Sequence, residues 1–354
     1  MGPLSRREFI GATSGAAAAP FVSGLSAARQ AATPTSALTL ACADYVRLMP
    51  VATGDVRPAA LTLTWLRGDR NEMLRRATTD PSVHGGETSM AQHLIRVDRG
   101  DRSLVAIPVF PLRNFTARDI YTSRGSTLSP SSLNGKRIGI YNWAASGAIW
   151  YRQLVRFLGQ DPANVHWVVG SPDSTTAVAV NVPLPSNVTL APSGSSLSDL
   201  LLSGDIVAFF APLPPSKYDA VSGPIVRLIP DFRSVEQRYF RETRCYPPQH
   251  VLVLRREVWE RDRSLGARLV ETFERSEASF TAAQRLYPYS TPWLVSEIEE
   301  TERLMGRDFH PHGLEKNRHA LDVFCQSGFD DGLTKRRVTV DEFFAEFIKS
   351  ERGL

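Results

Sequence analysis

Cysteine is scarce in this 354-residue chain, with Cys42, Cys245 and Cys325 as the only three. An odd count without metal-ligand spacing excludes a disulfide scaffold and a cysteine-built zinc site, leaving free or buried thiols or a single bridge. Charge of one sign is missing too. Lys and Arg number 41 against 37 Asp and Glu, a net charge of +4, and they are scattered. A nucleic-acid surface needs clustered basic residues, so no nucleic-acid partner is expected. No run in the body of the chain approaches the length of a membrane span, so no membrane insertion of the mature form is expected. The sequence has no G-x-S-x-G, no phosphate-binding P-loop and no dinucleotide fingerprint, so no cofactor is expected. His310, Pro311 and His312 invite a metal reading. The rigid proline and the lack of a nearby cysteine or a spaced carboxylate argue against it, and no metal is expected.

The N-terminus carries more information. Arg6 and Arg7 precede an Ala/Gly-rich, weakly apolar run that ends in Ser26-Ala27-Ala28. That order of features is similar to a bacterial twin-arginine export signal. A signal over residues 1–28 and a linker over 29–36 are expected, with the mature protein in the periplasm.

Beyond residue 36, strand and helix patterns alternate. "ALTLACA", "ALTLTWL", "SLVAIPVF", "DIYTS", "GKRIGI", "VHWVV", "DIVAFF" and "HVLVLRR" read as strands. Helices are expected over 71–79, after Ser89 as N-cap, over 147–158, near 196–203 and over "DFRSVEQRYFRET". The interval 171–195, rich in Pro, Ser and Asn, suggests a hairpin-like excursion. Everything after Glu257 is helical in period, with turns at Tyr287-Pro288 and "FHPHG". The alternation argues a parallel-rich α/β protein. Two lobes are expected: 37–120 begins the first, 121–247 forms the second, and 248–354 returns to the first. A ligand cleft would lie between them.

Several stretches occur in order along the chain: Asp44, Tyr45 and Arg47; "GETSM"; "RGDRSLVAIPVFPLRNF"; "LNGKRIGI"; "YFRET"; "HVLVLRR"; and "LMGRDFHPHGLEKNRHAL". Together these resemble the 4,5-dihydroxyphthalate decarboxylase family from about Leu38 to Phe347. The resemblance implies the two-lobed type II periplasmic-binding-protein fold, shared with nitrate-, sulfonate- and thiamine-precursor-binding proteins. Arg113, Phe115, Trp150, Arg152, His250, Asn317 and Arg318 match the family pattern. Asn142 stands where the family has a glutamate, Thr116-Ala117 where it often has Arg-His, and His312 where it has an aromatic.

A helix beginning at Ser146-Gly147 offers unpaired amides and the positive end of a dipole, a seat for an anion. A second seat is the helix start at Thr88-Ser89. Arg152 lies one turn into the first of these helices. Arg113 suits bidentate carboxylate binding, and its removal is expected to abolish ligand binding. Asp44 and Tyr45 follow the first strand, and Glu87 could accept ligand hydroxyls. Phe115, Trp143 and Trp150 are aromatic stacking candidates. Loss of CO2 from a hydroxy-aromatic acid needs a group that holds the carboxylate, an acid that protonates the ring carbon and a partner for the phenol. His250 is the proton-transfer candidate and Arg113 its companion. Asn142 hydrogen-bonds but cannot act as acid or base.

Three functions follow. The first is an exported, cofactor-free decarboxylase for an anionic aromatic carboxylate. The second is an exported solute-binding protein that delivers a small anionic or aromatic ligand to a membrane permease of an ABC-type importer. The third is a ligand sensor whose closed form engages a receptor.

Overall fold

The computed structural model describes residues 36–286 and 291–353. The twin-arginine stretch, the signal range 1–28, the linker up to residue 35 and the turn at Tyr287-Pro288 lie outside the described residues. The chain begins with β1 (Ser36–Ala41), α1 (Met49–Ala52), β2 (Leu61–Leu66), α2 (Arg70–Thr79), β3 (Gly85–Ser89), α3 (Met90–Asp98) and β4 (Leu104–Ile107). It continues through β5 (Ile120–Ser123), β6 (Arg137–Ile140), α4 (Ser146–Phe157), β7 (His166–Val169), β8 (Val188–Leu190), α5 (Leu197–Ser203), β9 (Ala208–Phe210), β10 (Ile225–Arg227) and α6 (Phe232–Thr243). After β11 (His250–Arg255) come α7 (Arg256–Arg261), α8 (Leu265–Leu286), α9 (Leu294–Met305), α10 (Arg318–Asp330), α11 (Val340–Phe343) and α12 (Ala345–Glu351).

These strands form two sheets, one per lobe: β2-β1-β3-β11-β4 and β10-β5-β9-β6-β7-β8. Both are mixed. β1 is parallel to β2 and β3, and β7 is parallel to β6 and β8. The antiparallel pairings involve β11 and β5, the strands on which the chain enters each lobe after crossing from the other. The two crossings run side by side and touch at an antiparallel bridge between Arg113 and Pro248.

Burial follows the sequence pattern. In β1 Leu38 and Leu40 face the core and Thr39 alternates with them, whereas β4 and β9 are buried along their whole length. β3, "GGETS", carries no apolar periodicity. It sits between β1 and β11 because Gly85 and Gly86 let the neighbours in: a Cβ at Gly86 would lie 2.0 Å from the Ala41 carbonyl oxygen. One apolar core runs through both lobes and takes Leu40 and Leu252 from the first sheet and Ile138 and Phe210 from the second.

The interval 171–195 differs from its expectation. It holds one strand, β8, parallel to β7, and no hairpin. Val178 and Val180 pack on the core from irregular backbone, and Pro183 and Pro185 withhold the N–H donors that a ladder requires. No helix among the described residues is long and apolar enough to cross a membrane.

Candidate active site

The loops after β2, β3, β6 and β9, with the start of β11, meet in a cleft of about 330 Å³ between the lobes. This is the edge where α/β sheets gather ligands. Its wall carries Arg70, Ser89, Tyr141, Asn142, Ser146, Gly147, Gln249 and His250 among others, and no aspartate or glutamate. Arg70 has no ion-pair or hydrogen-bond partner among the described residues. It lies close enough to the Tyr45 and Tyr141 hydroxyls to favour their ionised forms, against a larger effect of burial that pushes both well up.

Three helices start at this cleft, and they differ in what their first amides meet. Asp69 caps α2 by accepting from the Asn71 and Glu72 N–H groups at 2.9 and 3.1 Å. The first two α3 amides are also satisfied: Met90 N–H donates to the Gln249 carbonyl at 3.0 Å, and Ala91 N–H donates to Ser146 Oγ at 3.0 Å. Ser146 belongs to the other lobe, and its hydroxyl also lies 2.8 Å from that of Ser89. Ser89 itself makes no side-chain cap. The expected seat at Thr88-Ser89 is therefore filled by the protein's own groups. α4 is different. Its N-cap is Ala145, which has no side chain to accept with, and the N–H groups of Ser146 and Gly147 have no acceptor among the described residues. Here Gly147 keeps the approach open, since a Cβ would meet Tyr141 Oη at 2.9 Å and Gln249 Oε1 at 3.4 Å. Asn142 Oδ1 accepts from Ala144 N–H at 2.8 Å and holds the loop that leads into the helix.

His250 opens β11 opposite Ser89. Its Nδ1 is hydrogen-bonded to Glu87 Oε1, and Nε2 has no protein partner. Glu87 was expected to meet ligand hydroxyls. It is instead fully buried beneath His250, where Oε1 also accepts from the Tyr45 hydroxyl and Oε2 from the Ala43 N–H at 3.1 Å. Burial opposes its ionisation. The His250 charge and the bonds from His250, Tyr45 and Ala43 outweigh that and hold the carboxyl below the usual range. Tyr45 thus faces Glu87 and not the cleft wall. Asp44 is exposed and paired with Arg67 at 3.3 Å, outside the cleft.

The other arginines named from sequence are committed elsewhere. Arg113, 4% exposed, donates to the carbonyls of Tyr246 (2.9 Å) and Pro311 (2.8 Å) and to Asn317 Oδ1. It ties the crossing strands to the segment ahead of α10. Burial lowers its guanidinium to about 10, and it does not line the cleft. Arg152 is fully buried, bonded to Asp331 at 2.6 Å and stacked 4.1 Å above the Trp143 ring, and so pins α4 to the end of α10. Phe115 packs on Tyr246 and lines a separate cavity beside α6 and α9. Trp143 and Trp150 are buried in the core, so Tyr141 is the aromatic residue on the cleft wall. His312 is enclosed and accepts from the Phe110 N–H at 3.1 Å. All three cysteines are free and buried. Of the residues named from sequence, the structure brings Ser89, Asn142, Ser146, Gly147 and His250 to one wall. Sequence reasoning missed Arg70, Tyr141 and Gln249. The signal for Arg70 was its place just after an Asp N-cap at the end of a strand.

No protein-family model matches the chain. It is similar to a 4,5-dihydroxyphthalate decarboxylase of Comamonas testosteroni, 29% identical over 319 residues that cover 87% of this chain and 96% of the relative. A 4,5-dihydroxyphthalate decarboxylase of Pseudomonas putida is 29% identical over 184 residues, 51% of this chain and 71% of the relative. Among solved structures, the periplasmic aliphatic sulphonate binding protein SsuA from Escherichia coli superposes with a TM-score of 0.51 at 15% identity, covering 88% of this chain and 92% of that one. The fold is therefore the two-lobed α/β architecture of such binding proteins.

Proposed function

We propose that this chain is an exported protein that takes a small aromatic carboxylate into the interlobe cleft and releases CO2 from it without a cofactor. One observation carries the reading. The cleft wall joins an unpaired arginine, an uncapped helix start and a histidine with a free ring nitrogen, with no acidic side chain among them. Such a wall favours an anion and disfavours a cation. The likeness to two proteins named 4,5-dihydroxyphthalate decarboxylase supports a hydroxylated phthalate as the first ligand to try. The paired arginines and the small-residue run near the N-terminus support export.

In this reading Arg70 and the amides of Ser146 and Gly147 bind the ligand's acid groups. They replace Arg113 and Arg152, which hold the frame. Protonated His250 donates from Nε2 to the ring carbon that bears the departing carboxylate. The carbon–carboxylate bond then breaks, its electron pair returns to the ring, and CO2 leaves. Neutral His250 regains its proton from solvent. Tyr141 Oη and Gln249 Oε1, both close to Gly147, are the acceptors within reach of ligand hydroxyls.

A second reading has its own support. Asn142 lines the cleft where the decarboxylase pattern carries a glutamate, and an amide takes no part in proton transfer. A binding protein that serves a membrane permease needs only capture. One experiment separates the two. The mature protein is mixed with 4,5-dihydroxyphthalate and related acids, and CO2 release and thermal stabilisation are followed together. Multiple-turnover CO2 release that is lost in His250→Ala supports the enzyme. Stabilisation without CO2 supports the binding protein. Neither signal removes the aromatic acid as ligand.

A further inference from the structure

The carboxylate beneath His250 is placed in an unusual way. Glu87 has no exposed surface and does not line the cleft, yet it meets three hydrogen-bonding groups from two separate pieces of the chain. Ala43 N–H, just past β1, takes Oε2 at 3.1 Å. The Tyr45 hydroxyl and His250 Nδ1 both take Oε1. Ser89, two residues further along β3, stands opposite His250 in the ladder, so the register of β3 and β11 places the Glu87 side chain and the imidazole on the same face.

We propose that Glu87 is a positioning residue, a buried carboxylate that holds the His250 ring through Nδ1 and leaves Nε2 to the cleft, and that Tyr45, by sharing the same carboxylate oxygen, weakens that hold. A histidine whose one nitrogen is bonded to a carboxylate has a fixed ring orientation and a fixed tautomer at the other nitrogen. The Tyr45 hydroxyl donates to the oxygen that holds His250 and draws charge away from it. The two partners therefore act on His250 in opposite directions. The other groups facing this pair are the Cys42 thiol beside Glu87, Arg70 on the cleft wall and the hydroxyls of Ser89 and Ser146.

The pairing stands on geometry, and its catalytic consequence rests on the reading of the cleft given above. The experiment is a histidine-ring NMR titration of the full-length protein without ligand. The chain has seven histidines, and the His250 signal is assigned by its loss in His250→Gln. In Glu87→Gln the His250 midpoint is expected to fall by about one pH unit or more, the scale of losing a close opposite charge. In Tyr45→Phe it is expected to rise by a few tenths. An unchanged midpoint in Glu87→Gln, or shifts of the same sign in both variants, overturns the proposal. Should Glu87→Gln fail to fold, Tyr45→Phe still decides, because an unchanged or lowered midpoint removes the shared oxygen from the account. Turnover is measured in parallel, with kcat expected to drop in Glu87→Gln and KM to hold. Opposite NMR shifts in a protein that releases no CO2 leave the positioning role standing and end the decarboxylase reading. CO2 release with unmoved NMR midpoints does the reverse.

Discussion

At the scale of single residues, the informative contrast is between Arg70 and Arg113. Both are arginines placed soon after a strand, Arg70 at the first position of α2 and Arg113 on the crossing after β4, and the family pattern draws the eye to Arg113. Its guanidinium is hydrogen-bonded to two carbonyls and to Asn317, whereas Arg70 stands unpaired at the cleft wall. Arg70→Ala is expected to weaken binding of an aromatic dicarboxylate at least tenfold by calorimetry, with little change in the unfolding midpoint. Arg113→Ala is expected to do the opposite. It leaves buried acceptors unpaired and costs about 3 kcal/mol in urea unfolding, while the folded fraction binds as before. His250, Ser146, Gly147 and, through the resemblance, Asn142 were named from the sequence, and all four lie on the cleft wall. Arg70 was not, because in the sequence it is one of 41 basic residues, distinguished only by what surrounds it in the fold. Nor was the Glu87 arrangement, since its histidine lies 163 positions away and its role depends on strand register.

At the scale of elements, most strands and helices follow from period, and the starts of α2, α3 and α4 fall within a residue of expectation. What the pattern could not carry is how those starts are completed. Ser146 reads as a cap or donor for its own helix, and it caps α3 from the opposite lobe. β3 escaped because its glycines serve close backbone approach and not burial. Val178, Val180 and Val182 alternate as a strand would, but they pack without pairing. The cross-lobe cap gives a direct expectation. Ser146→Ala should cost about 1 kcal/mol of stability, the usual worth of an N-cap, read as a lowered urea midpoint.

At the scale of the molecule, a core that runs through both lobes predicts a single cooperative transition, with calorimetric and van't Hoff enthalpies in agreement. Two acids, Asp119 buried and Glu236 partly buried, should make that transition pH-dependent. Burial is the largest influence on Asp119 and Glu236 and pushes both carboxyls up to about 7, although Arg118 pulls the other way. In the unfolded chain such groups ionise near about 4. The folded protein therefore binds the extra protons between about pH 4 and 7. Stability is greatest on the acid side of that window and declines as pH rises through it. Asp119→Asn should flatten the slope of the urea midpoint between about pH 4 and 7.

The bare start of α4 has a broader consequence. A helix that lacks its cap is an unfinished piece of architecture, and an anion lodged on Ser146 and Gly147 would finish it. The ligand then acts as a removable part of the fold, and the protein exchanges some durability when empty for the ability to accept it. Ala145→Asp would supply the missing part permanently. The resulting protein should melt at a higher temperature and bind its anion more weakly, a trade made at one residue.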